Sequence, residues 1–125
     1  MGYRSDVMAL VYPSASSTPS SRGDLYEQLK TLMNTTFKDV MDEWGADSEW
    51  VDRAMVLKFT ISDVKWYPNY SAVSMFKEFL SDIHHDMGYV TEFIRIGEEV
   101  DDVEQDFSED ATYHLRVCRS IESEV

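Results

Sequence analysis

The chain begins its folded pattern with an unbroken apolar run, residues 5–12 (SDVMALVY), closed by Pro13. A run of that length and bulk predicts a strand with both faces covered, or one at the centre of a sheet. Residues 14–23, SASSTPSSRG, have little to bury and predict an exposed, flexible Ser-rich loop. Asp24 then opens a helix as its N-cap, with Glu27 placed for the reciprocal exchange of a capping box. Leu25, Leu29, Leu32, Met33, Phe37, Val40, Met41 and Trp44 follow at spacings of three and four, which is an amphipathic stripe. Gly45 supplies a left-handed stop.

After a turn-like connection, ADSEW, the period changes to two. Met55, Leu57, Phe59 and Ile61 alternate with Val56, Lys58, Thr60 and Ser62, as in a half-buried strand. Val64 and Trp66 fall on the opposite parity, so one extra residue near Ser62–Asp63, a β-bulge, would return both sets to one face. Two shorter strands meeting at a bend are the alternative. Tyr67-Pro68-Asn69 ends the pattern, because proline cannot donate to a ladder. Asn69 or Ser71 caps a second helix, whose stripe is Val73, Phe76, Leu80, Ile83 and Met87, widened by Phe79 and ended by Gly88.

Residues 89–96, YVTEFIRI, alternate again and predict a strand. Residues 98–110, EEVDDVEQDFSED, carry eight acids and no base. Val100, Val103 and Phe107 lie there at helical spacing, which predicts a short helix or an ordered loop pinned by those three. Residues 112–121 alternate Tyr113, Leu115 and Val117 with His114, Arg116 and Cys118 as a closing strand, followed by a frayed tail. The expected order is β-α-β-α-β-β: one α+β domain over residues 1–125, with two amphipathic helices on one face of a four-stranded mixed sheet.

Charge narrows the function classes. Twenty-four Asp and Glu against eleven Lys and Arg leave −13 in 125 residues. A nucleic-acid binder needs a basic patch to neutralise phosphates, and anionic membrane surfaces would repel this chain as well. The same charge either keeps a small protein in solution or docks onto a basic partner, including one that normally grips DNA. A single cysteine, Cys118, allows no internal disulfide and fits a reducing cytoplasm. The start, MGYRSDVMALVYP, is interrupted by Arg4 and Asp6 and matches neither a signal peptide nor a membrane span.

No catalytic or metal-binding pattern stands out. Cys118 and His114 would share a strand face two pleats apart, too far for a nucleophile and its base. His84 and His85 are adjacent, so on a helix they diverge by about 100°, whereas chelation favours spacings of three or four. The acidic stretch offers carboxylates to a hard cation but lacks the glycine turn of an EF-hand. We therefore expect no cofactor and a non-enzymatic protein. Two surfaces are candidate partner sites. One is the acidic block, Glu98, Glu99, Asp101, Asp102, Glu104, Asp106, Glu109 and Asp110, which repels itself while staying anchored inside the domain. The other is an aromatic group, Trp50, Trp66, Tyr67 and Tyr70, of types enriched at interface hot spots. Neutralising Asp101, Asp102, Glu104 and Asp106 together should relieve repulsion and leave the fold intact.

Three segments, MGYRSDV at the start, DVKWY at 63–67 and FIRIGEE at 93–99, resemble an uncharacterised family of small acidic proteins encoded by bacteriophages and prophages. The resemblance spans most of the chain in the same order. It implies a phage accessory protein in the host bacterial cytoplasm, binding a host or phage protein as an inhibitor or a DNA mimic. The alternative is a small virion or assembly component acting through self-association.

Overall fold

The computed structural model describes residues 4–14, 19–67, 69–99, 102–109, 111–112, 115–118 and 120–123. Strand β1 (Ser5–Tyr12) leads to helices α1 (Pro19–Asn34) and α2 (Lys38–Trp44), a 3-10 turn (Gly45–Asp47) and the hairpin β2 (Ser48–Val51) and β3 (Val56–Val64). Helix α3 (Ser71–His85), β4 (Val90–Ile96), β5 (Val103–Phe107), β6 (Leu115–Cys118) and β7 (Ser120–Ser123) complete the chain. The main sheet has the order β2-β3-β1-β4-β5, and β6-β7 form a separate two-stranded sheet.

The α+β class stands, but the sheet is five-stranded and antiparallel at every adjacent pair, where the pattern had suggested four strands and a mixed sheet. The reason is topological. Helix α3 is a crossover and leaves β3 and β4 running parallel to each other, as such connections require. Strand β1 lies between them and opposes both. This central place accounts for its apolar run: Val7, Ala9 and Val11 face one core, Leu10 and Tyr12 the other.

The expected bulge is present. The β1–β3 register passes from Val7↔Ile61 to Ser5↔Val64, with three residues of β3 set against two of β1. Asp63 takes φ 52 there, and its amide donates to Asp6 Oδ1 at 2.9 Å. Aspartate tolerates the left-handed region better than most residues. The bulge brings Val64 and Trp66 onto the helical side of the sheet with Leu57, Phe59 and Ile61.

The helices differ from expectation in their limits. Residues 19–23 belong to α1, so the Ser-rich loop is shorter than expected and Asp24 is inside the helix; residues 15–18 of that loop lie outside the described set. Proline is tolerated in a first helical turn, where its missing N–H has no partner to lose. The long helix also breaks at residues 35–37. Thr35 and Thr36 are β-branched, and the Thr35 hydroxyl donates back to the Thr31 carbonyl at 2.8 Å, while the Phe37 amide reaches past the α register to Leu32 O at 2.9 Å. The stripe survives the break, with Leu29, Met33, Phe37, Val40 and Trp44 all buried. Gly45 has φ −63 and starts the 3-10 turn, so it is not a left-handed stop. Gly88 is one, with φ +79, and its amide returns to His84 O at 3.0 Å. Met87 lies beyond α3 and is exposed rather than part of the buried stripe.

Three segments changed type. ADSEW holds the first three residues of β2, a four-residue strand too short to show a period. The acidic block contains β5, neither helix nor loop, because Val103 and Phe107 are four apart, a spacing shared by helices and strands. Residues 112–121 hold no single strand; β6 and β7 fold back on each other, with Leu115 opposite Ser123. The hairpin lies on the back of the sheet, where Leu115 and Ile121 cover Leu10, Val90 and Ile94. Strand β4 is therefore buried on both faces from Val90 to Ile94. Helices, sheet and hairpin make three layers. Among the described residues, no helix is long and apolar enough to cross a membrane.

Candidate functional site

The acidic block begins from Gly97. Its amide donates to Asp102 O at 2.7 Å and the Asp102 amide to Glu99 O at 3.0 Å, which folds the chain back into β5. A side chain at Gly97 would run into the Asp102 carboxylate and force it to shift from Arg95. Pairing of β4 with β5 then sets Arg95 opposite Glu104. The guanidinium donates from Nη2 to Asp102 Oδ1 at 2.7 Å, from Nε to Glu104 Oε1 at 3.2 Å and from Nη1 to Ser5 Oγ at 3.1 Å. From α3, Lys77 bridges to the other oxygen of Glu104, its ammonium 5.6 Å from the centre of the Phe93 ring.

Among the described residues of the block, Asp102 and Glu104 are thus neutralised internally. The Arg95 hydrogen bonds hold Asp102 below the usual carboxylate range against a smaller opposing effect of desolvation. Desolvation pushes Glu104 up, but Lys77 and Arg95 outweigh it and leave Glu104 lowered as well. The same bonds, led by Asp102, raise Arg95. Both carboxyl groups bind protons less readily folded than unfolded, so their contribution to stability is complete above the ordinary carboxylate range near pH 4 and is lost as pH falls through their lowered folded values. The double variant Asp102→Asn/Glu104→Gln should be less stable at neutral pH and show a shallower acid limb in a pH series of thermal melts. Neutralising Asp101, Asp102, Glu104 and Asp106 together is accordingly expected to destabilise the fold rather than leave it intact: Arg95 would keep amide acceptors but lose the negative charges that compensate it in a half-buried network.

The remaining members of the block are dispersed. Glu98 is exposed and accepts the Arg4 amide at 2.9 Å; Glu99, Asp106 and Glu109 are exposed, Asp106 on the edge strand. Asp101 and Asp110 lie outside the described residues, as does His114. The aromatic group divides too. Trp66 is core, with the rings of Trp44, Phe76 and Phe93 at 5.5, 5.7 and 6.1 Å. Tyr67 is half-buried and stacks edge-on with exposed Tyr70 at 5.1 Å. Trp50 packs against Tyr26 at 5.7 Å, under Lys30. The structure nevertheless joins the two candidate surfaces: Trp66, Tyr67, Asp102 and Glu104 line one cavity of about 220 Å³ with Lys77 and Arg95. Across the Lys77–Glu104 bridge, a second cavity of about 140 Å³ is lined by His84, His85, Asp106 and Ser108. His84 Nδ1 lies 2.8 Å from the Tyr89 carbonyl, so that nitrogen carries the proton. Among the described residues, no group of three or more His, Cys, Asp or Glu side chains is gathered as a metal ion would require.

Two features were missed in the sequence. Lys77 stands four residues after Val73, within the buried stripe of α3, and a charge at such a position signals an internal partner. Uncompensated carboxylates, moreover, gather on the helices. Asp39 and Glu43 of α2 and Glu78 and Asp82 of α3, with Asp86 just beyond it, make no ion pair among the described residues. Between these helices runs a groove of about 300 Å³. No protein-family model, curated protein or solved structure matches the chain.

Proposed function

We propose that this is a non-enzymatic accessory protein that binds a basic surface on another protein through exposed carboxylates, acting as an inhibitor or a DNA mimic. The observation that carries the reading is the uneven neutralisation of a −13 chain. Asp102 and Glu104 are occupied by cations of the fold, whereas Asp39, Glu43, Glu78, Asp82 and Asp86 on the helical layer, and Glu98, Glu99, Asp106 and Glu109 near the sheet edge, have none among the described residues. Such a field speeds encounter with a basic partner and disfavours acidic ones. The resemblance to small acidic phage proteins supports a host or phage protein in the bacterial cytoplasm as that partner.

Self-association is the alternative. A salt-resistant assembly needs an apolar patch, and Tyr70 and Met87 are the large hydrophobic residues left exposed among those described. That scarcity favours the charged interface. Capture on the immobilised protein from nuclease-treated bacterial lysate, at low salt and at about 0.5 M salt where screening is nearly complete, distinguishes the two. One stoichiometric protein with a basic surface, lost at high salt, is expected. A partner retained at high salt, or none in either condition, overturns the proposal.

A further inference from the structure

The groove between α2 and α3 is lined by Phe37 and Val40 from the first helix side and Met75 and Phe79 from the second, with Asp39, Glu78 and Asp82 around it. Phe37, Val40 and Phe79 are buried and Met75 half-buried, so the floor is apolar beneath a charged rim. The cations nearest in sequence are turned elsewhere. Lys38 adjoins Asp39 but bonds Asp42 at 3.0 Å, one turn along its own helix. Lys77 adjoins Glu78 but crosses to Glu104 on β5. Glu78 and Asp82 stand at i and i+4, a like-charged spacing that weakens a helix. Three carboxylates from two helices therefore meet at one apolar groove with no counterion among the described residues.

We infer that this groove docks an arginine-bearing segment of a basic partner protein, an inference that rests on the proposed function and gives it a location. Arginine meets both halves of the site. Its methylene stem lies along apolar surface while its head stays polar. Its planar fork of N–H donors engages carboxylates in pairs, which a lysine ammonium does not do. Arg95 already shows the chemistry within this fold, held by Asp102 and Glu104 at 2.7 and 3.2 Å.

The test uses a fluorescein-labelled peptide of alternating arginine and leucine, titrated by anisotropy against the full chain. Its lysine counterpart and spermidine serve as competitors. Two triple variants carry equal losses of charge: Asp39→Asn/Glu78→Gln/Asp82→Asn in the groove, and Glu98→Gln/Glu99→Gln/Asp106→Asn at the sheet edge. None of these six residues makes an ion pair among the described residues, and thermal melts verify that both variants fold. Should the triple groove variant fail to fold, Glu78→Gln alone replaces it. The expected result is binding weakened about tenfold by the groove substitutions and less than about twofold by the edge substitutions, with the lysine peptide the poorer competitor. Equal weakening by both variants, equal competition by lysine peptide or spermidine, or no saturable binding overturns the inference. The two proposals fail separately: if the groove variant still captures the salt-sensitive lysate partner, the acidic interface stands and the groove does not.

Discussion

Phe76→Ala is expected to lower the unfolding free energy by about 3–5 kcal/mol, the range for deleting a fully buried phenylalanine. Phe76 has no exposed surface and lies where helix and sheet meet. Its ring is 5.0 Å from Phe59 of β3, 5.7 Å from Trp66 beyond the bulge, and 5.9 Å from both Trp44 of α2 and Phe79 of α3. Most of these pairs are edge-to-face, which adds a specific attraction to the burial itself. Removing the hub leaves four rings around a void, and rings of that size fill it only by moving the elements that carry them. A domain of this size is stabilised by about 5–15 kcal/mol in total, so the loss is a large share. Urea unfolding should show a lower midpoint at an unchanged slope. A loss below about 1 kcal/mol would mean that the ring is not packed as described.

That aromatic core was legible because it is periodic. Val73, Phe76, Leu80 and Ile83 on α3, and Leu57, Phe59 and Ile61 on β3, are each spaced as their element demands, and the parity change after Ile61 predicted the bulge at Asp63. What escaped was whatever the pattern left degenerate. Val103 and Phe107 satisfy both periods, so β5 could not be told from a helix. The strand order could not be read because one crossover helix is compatible with adjacent parallel strands or with a third strand between them, and β1 proved to be that third strand. Candidate sites suffered differently. A run of acids is conspicuous in one dimension, yet Asp102 and Glu104 acquire their cations from β4 and α3, far from each other in sequence. The helical carboxylates that stay unpaired are scattered between apolar residues and gather only once α2 lies beside α3. Pairing, rather than density, decides which charges remain for a partner.

Glu92 is the same lesson turned inward, and its replacement by alanine is expected to cost about 2–6 kcal/mol, since two buried donors lose their acceptor at roughly 1–3 kcal/mol each. The residue has no exposed surface, beneath the β6-β7 hairpin. One carboxyl oxygen accepts the Tyr12 hydroxyl, and the other accepts the Leu115 amide at 3.0 Å. The Tyr12 oxygen in turn accepts the Thr112 amide at 2.9 Å. Burial first, and the Glu92 hydrogen bond second, raise the Tyr12 hydroxyl well above its ordinary value, so it remains a donor to Glu92 at neutral pH. A buried carboxyl group is tolerated only when its oxygens are satisfied, and here the satisfying groups come from β1 and from the strand it helps to hold down. Glu92→Gln keeps the shape and an acceptor for Leu115, and should cost less than alanine. Amide exchange identifies the mechanism. In Glu92→Ala, protection should fall first at Leu115 and across the hairpin, while α3 stays protected until the domain opens as a whole. Uniform loss of protection would mean that the carboxyl group supports the entire sheet rather than the back layer. The hairpin and the α2–α3 groove lie on opposite faces of the sheet, so Glu92→Gln should leave binding of the arginine peptide unchanged, and a joint loss would show that the two faces are energetically coupled.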